Sequence, residues 1–404
     1  MKHAKETKTL KSNVIKRRRM AFLIIVAIIA ILILAYIANE FIILGKNKTT
    51  NLIINNRNVT ENLKKNILIQ NGEIYLSKQD LGNFFDKYIY EDKETEQIIT
   101  TYNKKIAEIG FEKNIITING SEKSTYSHAI NQDDTIYIPI NELKDVYNIE
   151  INYIESTKNL VIDSLNKEQK KAVVSANSSI KSTKKFIAKT VARVKKGECV
   201  IIISNENGYA KIRTEDGKIG YIKSKKIDNE VTARQNMEQE KQITDKVNLV
   251  WDYYSQVASA PDRTDTQIDG VNVVSPSFFN IDKNGKLTEN IGSRGQAYLE
   301  WARQNNRKIW PMVQNSGDST MIDTTSKIMN SYTKRKELIE SIINVCIKYK
   351  LDGINIDFEN MRKEDKDLYS RFIIELEPRM KELGLVVSVD VTAPDWSDTW
   401  SLCF

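Results

Sequence analysis

One stretch of the chain is apolar without a break: Met20 to Ala38 reads MAFLIIVAIIAILILAYIA. About 20 apolar residues at 1.5 Å each cross the hydrocarbon core of a bilayer, so the pattern predicts a transmembrane helix within residues 20–44. Beyond it the hydrophobic period shortens. Residues 47–165 alternate strand-like runs with turns, and a weak internal repeat shows through. Ile74-Tyr75-Leu76-Ser77 leads to Asp80-Leu81, and Ile136-Tyr137-Ile138-Pro139 leads to Glu142-Leu143, at a constant offset. Each unit reads as a strand followed by a short helix with an acid in its first turn, where the helix dipole favours it. The polar stretch 166–185 reads as a linker. Residues 172–228 hold a small β-barrel pattern: Val200-Ile201-Ile202-Ile203, then Tyr209 to Arg213, then Ile219 to Ile222. The last two runs flank Asp216-Gly217, a strong hairpin signal. Residues 229–244 are charged and helix-prone, a second linker.

From residue 245 to the end the pattern changes again. Strand-like runs at Val247–Tyr253, Val271–Phe279, Ile309–Asn315, Ile354–Glu359 and Val386–Thr392 alternate with helical segments at Gly295–Gln304, Lys334–Lys350 and Glu364–Leu383. Such alternation predicts parallel strands joined by helical crossovers, and continuous apolar runs fit strands covered on both faces. The expected architecture is multidomain: a transmembrane helix, a small α+β domain, a small β-barrel, then an α/β sheet of about five strands.

Charge changes the picture only at the N-terminus. The net charge is +7, and residues 1–20 hold eight Lys or Arg against Glu6 alone, so the tail 1–19 accounts for the excess. The remainder is close to neutral, which removes the basic footprint that nucleic-acid binding needs. Positive charge on the N-terminal side of the apolar run predicts a cytoplasmic tail and an outward-facing bulk. A cleaved signal peptide would have a shorter apolar run and a small residue two before its cleavage site; with cleavage after Ala38, that position is Tyr36. The expected location is therefore the cell membrane, with a single-pass anchor. Cys199, Cys346 and Cys403 have neither metal nor disulfide spacing, and Cys346 falls on the apolar stripe Ile339, Ile342, Ile343, Ile347 of a predicted helix. The histidines are His3 and His128 only, so no metal, cofactor or catalytic thiol is expected.

The chemistry concentrates in Leu351-Asp352-Gly353-Ile354-Asn355-Ile356-Asp357-Phe358-Glu359. Residues two apart on a strand share a face, so Asn355, Asp357 and Glu359 point one way and Ile354, Ile356 and Phe358 the other. Three polar side chains on an inward face are costly unless they serve a purpose. Glu359 is nearest the C-terminal end of the strand, the end at which α/β barrels carry their active sites.

This segment resembles the DxxDxDxE signature of glycoside hydrolase family 18, the family of chitinases and related N-acetylglucosaminidases. Asp352, Asp357 and Glu359 match, and Asn355 stands where the pattern has Asp. Asn360-Met361 and Val391-Thr392-Ala393-Pro394-Asp395 resemble the subgroup of bacterial spore and wall hydrolases, which implies an association with sporulation. The resemblance implies a partial TIM-type barrel and substrate-assisted, retaining hydrolysis, an exception to the two-carboxylate scheme. Glu359 is then the general acid and later the base for water. Asp357 holds the acetamido N–H, and Asn355 orients Asp357 by a hydrogen bond. Trp251 and Tyr253 are candidates either for stacking on sugars or for barrel core. Gln314 and Asn315 end the third strand, placed for hydrogen bonds to substrate, and Asp390 on the fifth is placed to pair with the catalytic cluster. Ser275-Pro276-Ser277-Phe278 lacks the SxGG motif, which argues against a processive chitinase.

Two further resemblances follow. Residues 47–165 are similar to the copper amine oxidase N-terminal-like domain, a stalk of bacterial surface proteins. Residues 172–228 resemble a bacterial Src-homology-3 domain, with Tyr209 and Tyr221 open to either peptide contact or barrel core. Residues 245–404 are fewer than the about 250 of a complete barrel, so the chain is expected to be a fragment, inactive or nearly so alone. The implied partners are a cell-wall glycan, peptidoglycan rather than chitin, and the membrane; no protein partner is predicted. The alternatives are a non-catalytic glycan-binding or scaffold protein and a product without a role.

Overall fold

The structure, a computed structural model, describes residues 2–41, 49–185, 187–235, 246–254 and 269–391. Residues Lys2–Phe41 form a single helix whose stretch Lys16–Ala35 is long and apolar enough to cross a membrane. Phe22, Leu23 and Leu34 on it are exposed. The chain divides into two compact units, Met1–Leu63 with Asn148–Gln239 and Lys64–Tyr147 with Glu240–Phe404.

In the first unit, Asn51–Ile54 pairs in parallel with Asn159–Ser164, which pairs antiparallel with Ile149–Ile154. A two-residue turn at Asn55 and Asn56, both at positive φ, returns the first strand onto Arg57–Asn58, the conformation that such tight hairpins require. A seven-stranded sheet follows, in the order 190–194, 178–181, 219–223, 209–214, 199–206, 169–174, 227–234. The expected hairpin across Asp216-Gly217 is present, with Gly217 at φ +80 and close against Asn159 and Val161. The expected linker 166–185 is not: Gln169–Val174 and Ser178–Lys181 are strands of this sheet. Lys171 is exposed while Ala172, Val174 and Ile180 fill its core, and register shifts at Gln169/Lys170 and Lys171/Val173 break the simple alternation, so that a polar average conceals the strand. Ile227–Arg234 is likewise a strand rather than a helix-prone linker, held antiparallel to Gln169–Val174; residues 236–245 lie outside the described residues. Tyr209 and Tyr221 are half-buried, neither core nor free surface, with the amines of Lys184 and Lys211 over the Tyr221 ring.

The second unit begins with the repeated strand–helix pattern. Glu73–Ser77 and Thr135–Pro139 pair with each other, Tyr137 opposite Ser77 and Pro139 opposite Tyr75. Ser77 caps the helix Lys78–Phe84 by accepting from the Asp80 amide, and Asp80 is buried in its first turn. A five-stranded meander, residues 90–92, 97–102, 105–110, 115–118 and 121–124, completes this part.

Parallel strands then follow in chain order, Leu249–Asp252, Val273–Pro276, a third position, Gly353–Asp357 and Val386–Val389, as two sheets that divide at the third position. The third is split into Lys308–Ile309 and Met312–Gln314 around Pro311, which has no N–H to give a ladder. The second run is also shorter than Val271–Phe279, because Phe279–Ile281 leaves it to form a hairpin with Leu287–Glu289 and to pair with Met312–Gln314. Helices Gly292–Gln304, Thr320–Met329, Tyr332–Lys348 and Lys366–Glu382 cover one face. Val274, Ile309, Val313, Ile354 and Ile356 meet Leu299, Leu338, Ile342, Phe372 and Leu376 in one core, each such side chain contributing about 1.5–3 kcal/mol on burial. Cys346 lies in that core with Ile339, Ile342 and Ile343, whereas Ile347 turns outward and is exposed. Burial pushes the Cys346 thiol up to about 12, so it is not a nucleophile at neutral pH.

Candidate active site

The fourth parallel strand, Gly353–Asp357, sits between the third and the fifth, with Met312 and Ser388 flanking Asn355 and Gln314 beside Asp357. Residues paired across parallel strands share a face. Met312, Gln314, Asn355, Asp357 and Ser388 therefore line the face away from the helices, while Ile354, Ile356, Val313 and Val387 pack under them. Gly353 allows the strand its close fit, since a Cβ there would lie 2.5 Å from the Val386 carbonyl oxygen and 2.9 Å from the Trp310 ring.

On that face a hydrogen-bonded chain runs from strand to strand. Gln314 Nε2 donates to Asp357 Oδ2 at 2.9 Å. Asn355, almost fully buried, donates from Nδ2 to Asp390 Oδ2 at 2.7 Å and accepts from Ser388 Oγ at 2.7 Å. Trp251 Nε1, from the first strand, reaches the same Asp390 oxygen at 2.9 Å. A flat five-stranded sheet would hold its outer strands about 19 Å apart, beyond the joint reach of a tryptophan and an aspartate. The sheet is therefore curled, with its first and fifth strands turned towards each other across the polar face.

Glu359 lies two residues past the end of the fourth strand and is exposed. Its backbone is fixed by Asn315, whose Oδ1 accepts from the Glu359 and Asn360 amides at 2.9 and 3.1 Å. Asn315 Nδ2 donates in turn to Thr325 Oγ1 and to the Asn360 carbonyl. Burial holds the Asp390 carboxyl above the ordinary carboxylate range; the charges of Asp357 and Glu359 push the same way, and the bonds from Asn355 and Trp251 oppose them.

Several expected site residues are thus brought together: Asp357, Glu359, Asn355, Gln314, Asp390 and Trp251. Others are not. Asp352 stands about 17 Å away along the strand, where it accepts from the Ile309 amide at 3.0 Å and pairs with Lys308 at 2.8 Å. Asn355 orients Asp390 rather than Asp357, whose partner is Gln314. Asn315 is buried and wholly engaged with its own chain, so it shapes the loop instead of meeting a substrate. Trp251 and Tyr253 are 62% and 73% exposed, which rules out barrel core within this chain for both. Ser388 and Thr325 were not visible as participants, because a lone hydroxyl in a strand or helix carries no pattern. Nor was Asp252, buried with Tyr298 Oη donating to it at 2.7 Å; only its alternation with Trp251 along the strand hinted that it faces the helices. Thr392 to Asp395, and Cys403, lie outside the described residues.

Residues 249–402 match the family model of glycosyl hydrolases, family 18. The matched segment takes in the curled parallel strands and all of the site just described. Residues 53–162 match the copper amine oxidase N-terminal domain; in it His128 Nδ1 lies 2.7 Å from Asn114 Oδ1. The chain is similar to the uncharacterized glycosylase YvbX of Bacillus subtilis (strain 168), 31% identical over 137 residues, which are 32% of this chain and 39% of that protein. Among solved structures, the Bacillus megaterium QM B1551 spore cortex-lytic enzyme SleL is 16% identical with a TM-score of 0.34, covering 52% of this chain and 53% of that one. A chitinase from Chromobacterium violaceum ATCC 12472 is 19% identical with a TM-score of 0.33, covering 39% and 51%. The chain spans less than half the length of the curated relatives it matches.

Proposed function

We propose that this chain is a membrane-anchored glycosidase that cleaves N-acetylglucosamine-containing wall glycan, its C-terminal strands forming part of a TIM-type barrel. The observation that carries the reading is the pair Asp357 and Glu359 at the C-terminal end of the fourth parallel strand, one bound by Gln314 and the other held through its backbone by Asn315. Glu359, exposed to the polar face, gives its proton to the glycosidic oxygen as the bond from that oxygen to the anomeric carbon breaks. The acetamido carbonyl oxygen of the same sugar closes on that carbon from the opposite side. Asp357 accepts the acetamido N–H and steadies the positive charge of the resulting oxazolinium ring. Water then attacks the anomeric carbon, Glu359 takes its proton, and the ring reopens with configuration retained. Gln314 keeps one Asp357 oxygen occupied and so directs the other towards substrate.

The long apolar helix with its basic flank supports a single-pass anchor, tail inside and bulk outside. The seven-stranded sheet is read as a Src-homology-3-like module, and its position before the hydrolase domain favours peptidoglycan over chitin as substrate. The experiment uses the full chain in detergent, with purified peptidoglycan and, separately, chitin oligosaccharides. Expected is release of reducing ends that is lost in Glu359→Gln. A second reading, a glycan-binding protein without turnover, draws on the exposed Trp251 and Tyr253 at the mouth of the sheet. Glycan binding with no release of reducing ends from either protein would favour that second reading over the first.

A further inference from the structure

The amide at Asn355 leaves the fourth strand one carboxyl short of the family pattern, and Asp390, next after the fifth strand, brings a carboxyl oxygen to 2.7 Å from that amide. We propose that Asp390 is a positioning residue of this site: it draws Trp251 across the curled sheet onto the fourth strand, and it is the carboxyl partner of Asp357 and Glu359 that Asn355 is not. The inference rests on the hydrolase reading of the site, but its geometry stands apart from turnover.

Three observations support it. First, the Asn355 amide is engaged on both sides: its oxygen accepts from Ser388 Oγ at 2.7 Å and its nitrogen donates to Asp390 at 2.7 Å. Second, one Asp390 oxygen takes both the Asn355 and the Trp251 donors. Through that oxygen the first strand is tied to the fourth, and the Trp251 ring is held by it. Third, the charged groups acting on Asp390 across this face are Asp357 and Glu359, both acids, while Val387 and Val389 on the other side of its strand are apolar and meet the helical core. Both charges make the ionised form of Asp390 costlier, in the same direction as its own partial burial. A carboxyl can take up a proton in answer; an amide cannot. Asp390 therefore joins the position of an exposed aromatic ring to the charges of Asp357 and Glu359.

The test reads Trp251 and needs no turnover. Tryptophan emission of the full chain in detergent is followed from acid to neutral pH, and the Trp251 signal is isolated by subtracting the Trp251→Phe protein. One titration step is expected in the wild type, absent in Asp390→Asn. In Asp357→Asn, and again in Glu359→Gln, the step should remain but shift to lower pH, because a neighbouring negative charge has been removed. A step that survives in Asp390→Asn overturns the proposal. So does a midpoint that neither Asp357→Asn nor Glu359→Gln moves. Loss of the step in all variants together with lost near-ultraviolet circular dichroism would mean unfolding; Asp390→Glu, which keeps the carboxyl, then decides, since recovery of a step supports the assignment and its absence from a folded Asp390→Glu protein counts against it. If the step behaves as expected while no glycan is cleaved, the hydrolase reading fails and the positioning role stands.

Discussion

Replacing Glu375 by Gln should loosen the five-stranded meander and the helices of the hydrolase domain together. Glu375 and Arg335 are both almost wholly buried. Glu375 Oε2 accepts from Arg335 Nε at 2.8 Å, and Oε1 accepts from Arg335 Nη2 at 3.0 Å and from Tyr90 Oη at 2.9 Å. Tyr90 comes from the first strand of the meander, Arg335 from the helix Tyr332–Lys348 and Glu375 from Lys366–Glu382. Burial, followed by the charge of Glu375, pushes the Tyr90 phenol above its ordinary range, so it stays a neutral hydroxyl that can donate to the carboxylate. Glu375→Gln leaves the Arg335 charge buried without a counter-charge, which costs about 3–5 kcal/mol. At about 1.4 kcal/mol per factor of ten, amide hydrogen exchange should speed by roughly two to three and a half orders of magnitude. Because the cluster joins three elements, the effect should appear at once in residues 97–110 and in residues 332–348. The double substitution Arg335→Met with Glu375→Leu removes both charges and should recover much of the loss, since an apolar pair of similar volume is close to neutral in such places. Hydrogen exchange on the full chain by mass spectrometry is the assay. A change confined to the meander, a cost below about 1 kcal/mol, or a double variant weaker than Glu375→Gln would refute the reasoning.

Two further outcomes separate structural from chemical roles. Asp352→Ala should lower stability by about 1–3 kcal/mol, chiefly by stripping the buried Ile309 amide of its acceptor. Glycan affinity should stay unchanged, as titration calorimetry with a chitin oligosaccharide would reveal; a large loss of affinity would return Asp352 to the site. Asn315→Ala should free the Glu359 backbone and lose a comparable amount of stability, and any hydrolysis should fall with it, whereas Asn315→Asp keeps the acceptor to both amides and should retain more of each.

The hydrolase domain was legible where a side-chain period and a chemical pattern coincided. The fourth strand is the clearest case: apolar Ile354 and Ile356 alternate with Asn355 and Asp357, and both periodicity and chemistry point the same way. The repeat of Tyr75 and Tyr137 was likewise readable, and the structure pairs those two strands directly. What stayed hidden depended on contacts far apart in sequence. Gln169–Val174 looks like a linker because its lysines dominate the average, and only pairing with strands on both sides makes it central to a sheet. Asp352 and Asp357 look equivalent in a motif, yet a strand carries them to opposite ends. The bond between Trp251 and Asp390 spans 139 positions and depends on the curl of the sheet, which no local pattern reports.

The parallel pairing of Asn51–Ile54 with Asn159–Ser164 bears on the order of events during synthesis. Asn51 and its partner Asn159 are 108 positions apart. At about 5–20 residues per second, the first of these strands emerges roughly 5–20 s before the second. Throughout that interval Leu52 and Ile53, both buried in the finished protein, have no sheet to enter. The segment Lys64–Tyr147 has a longer wait, because Tyr90 and Glu108 meet Arg335 and Lys336 only when those helices exist. The sheet that Asn51–Ile54 enters is therefore completed late, when a strand 108 positions further on has been made.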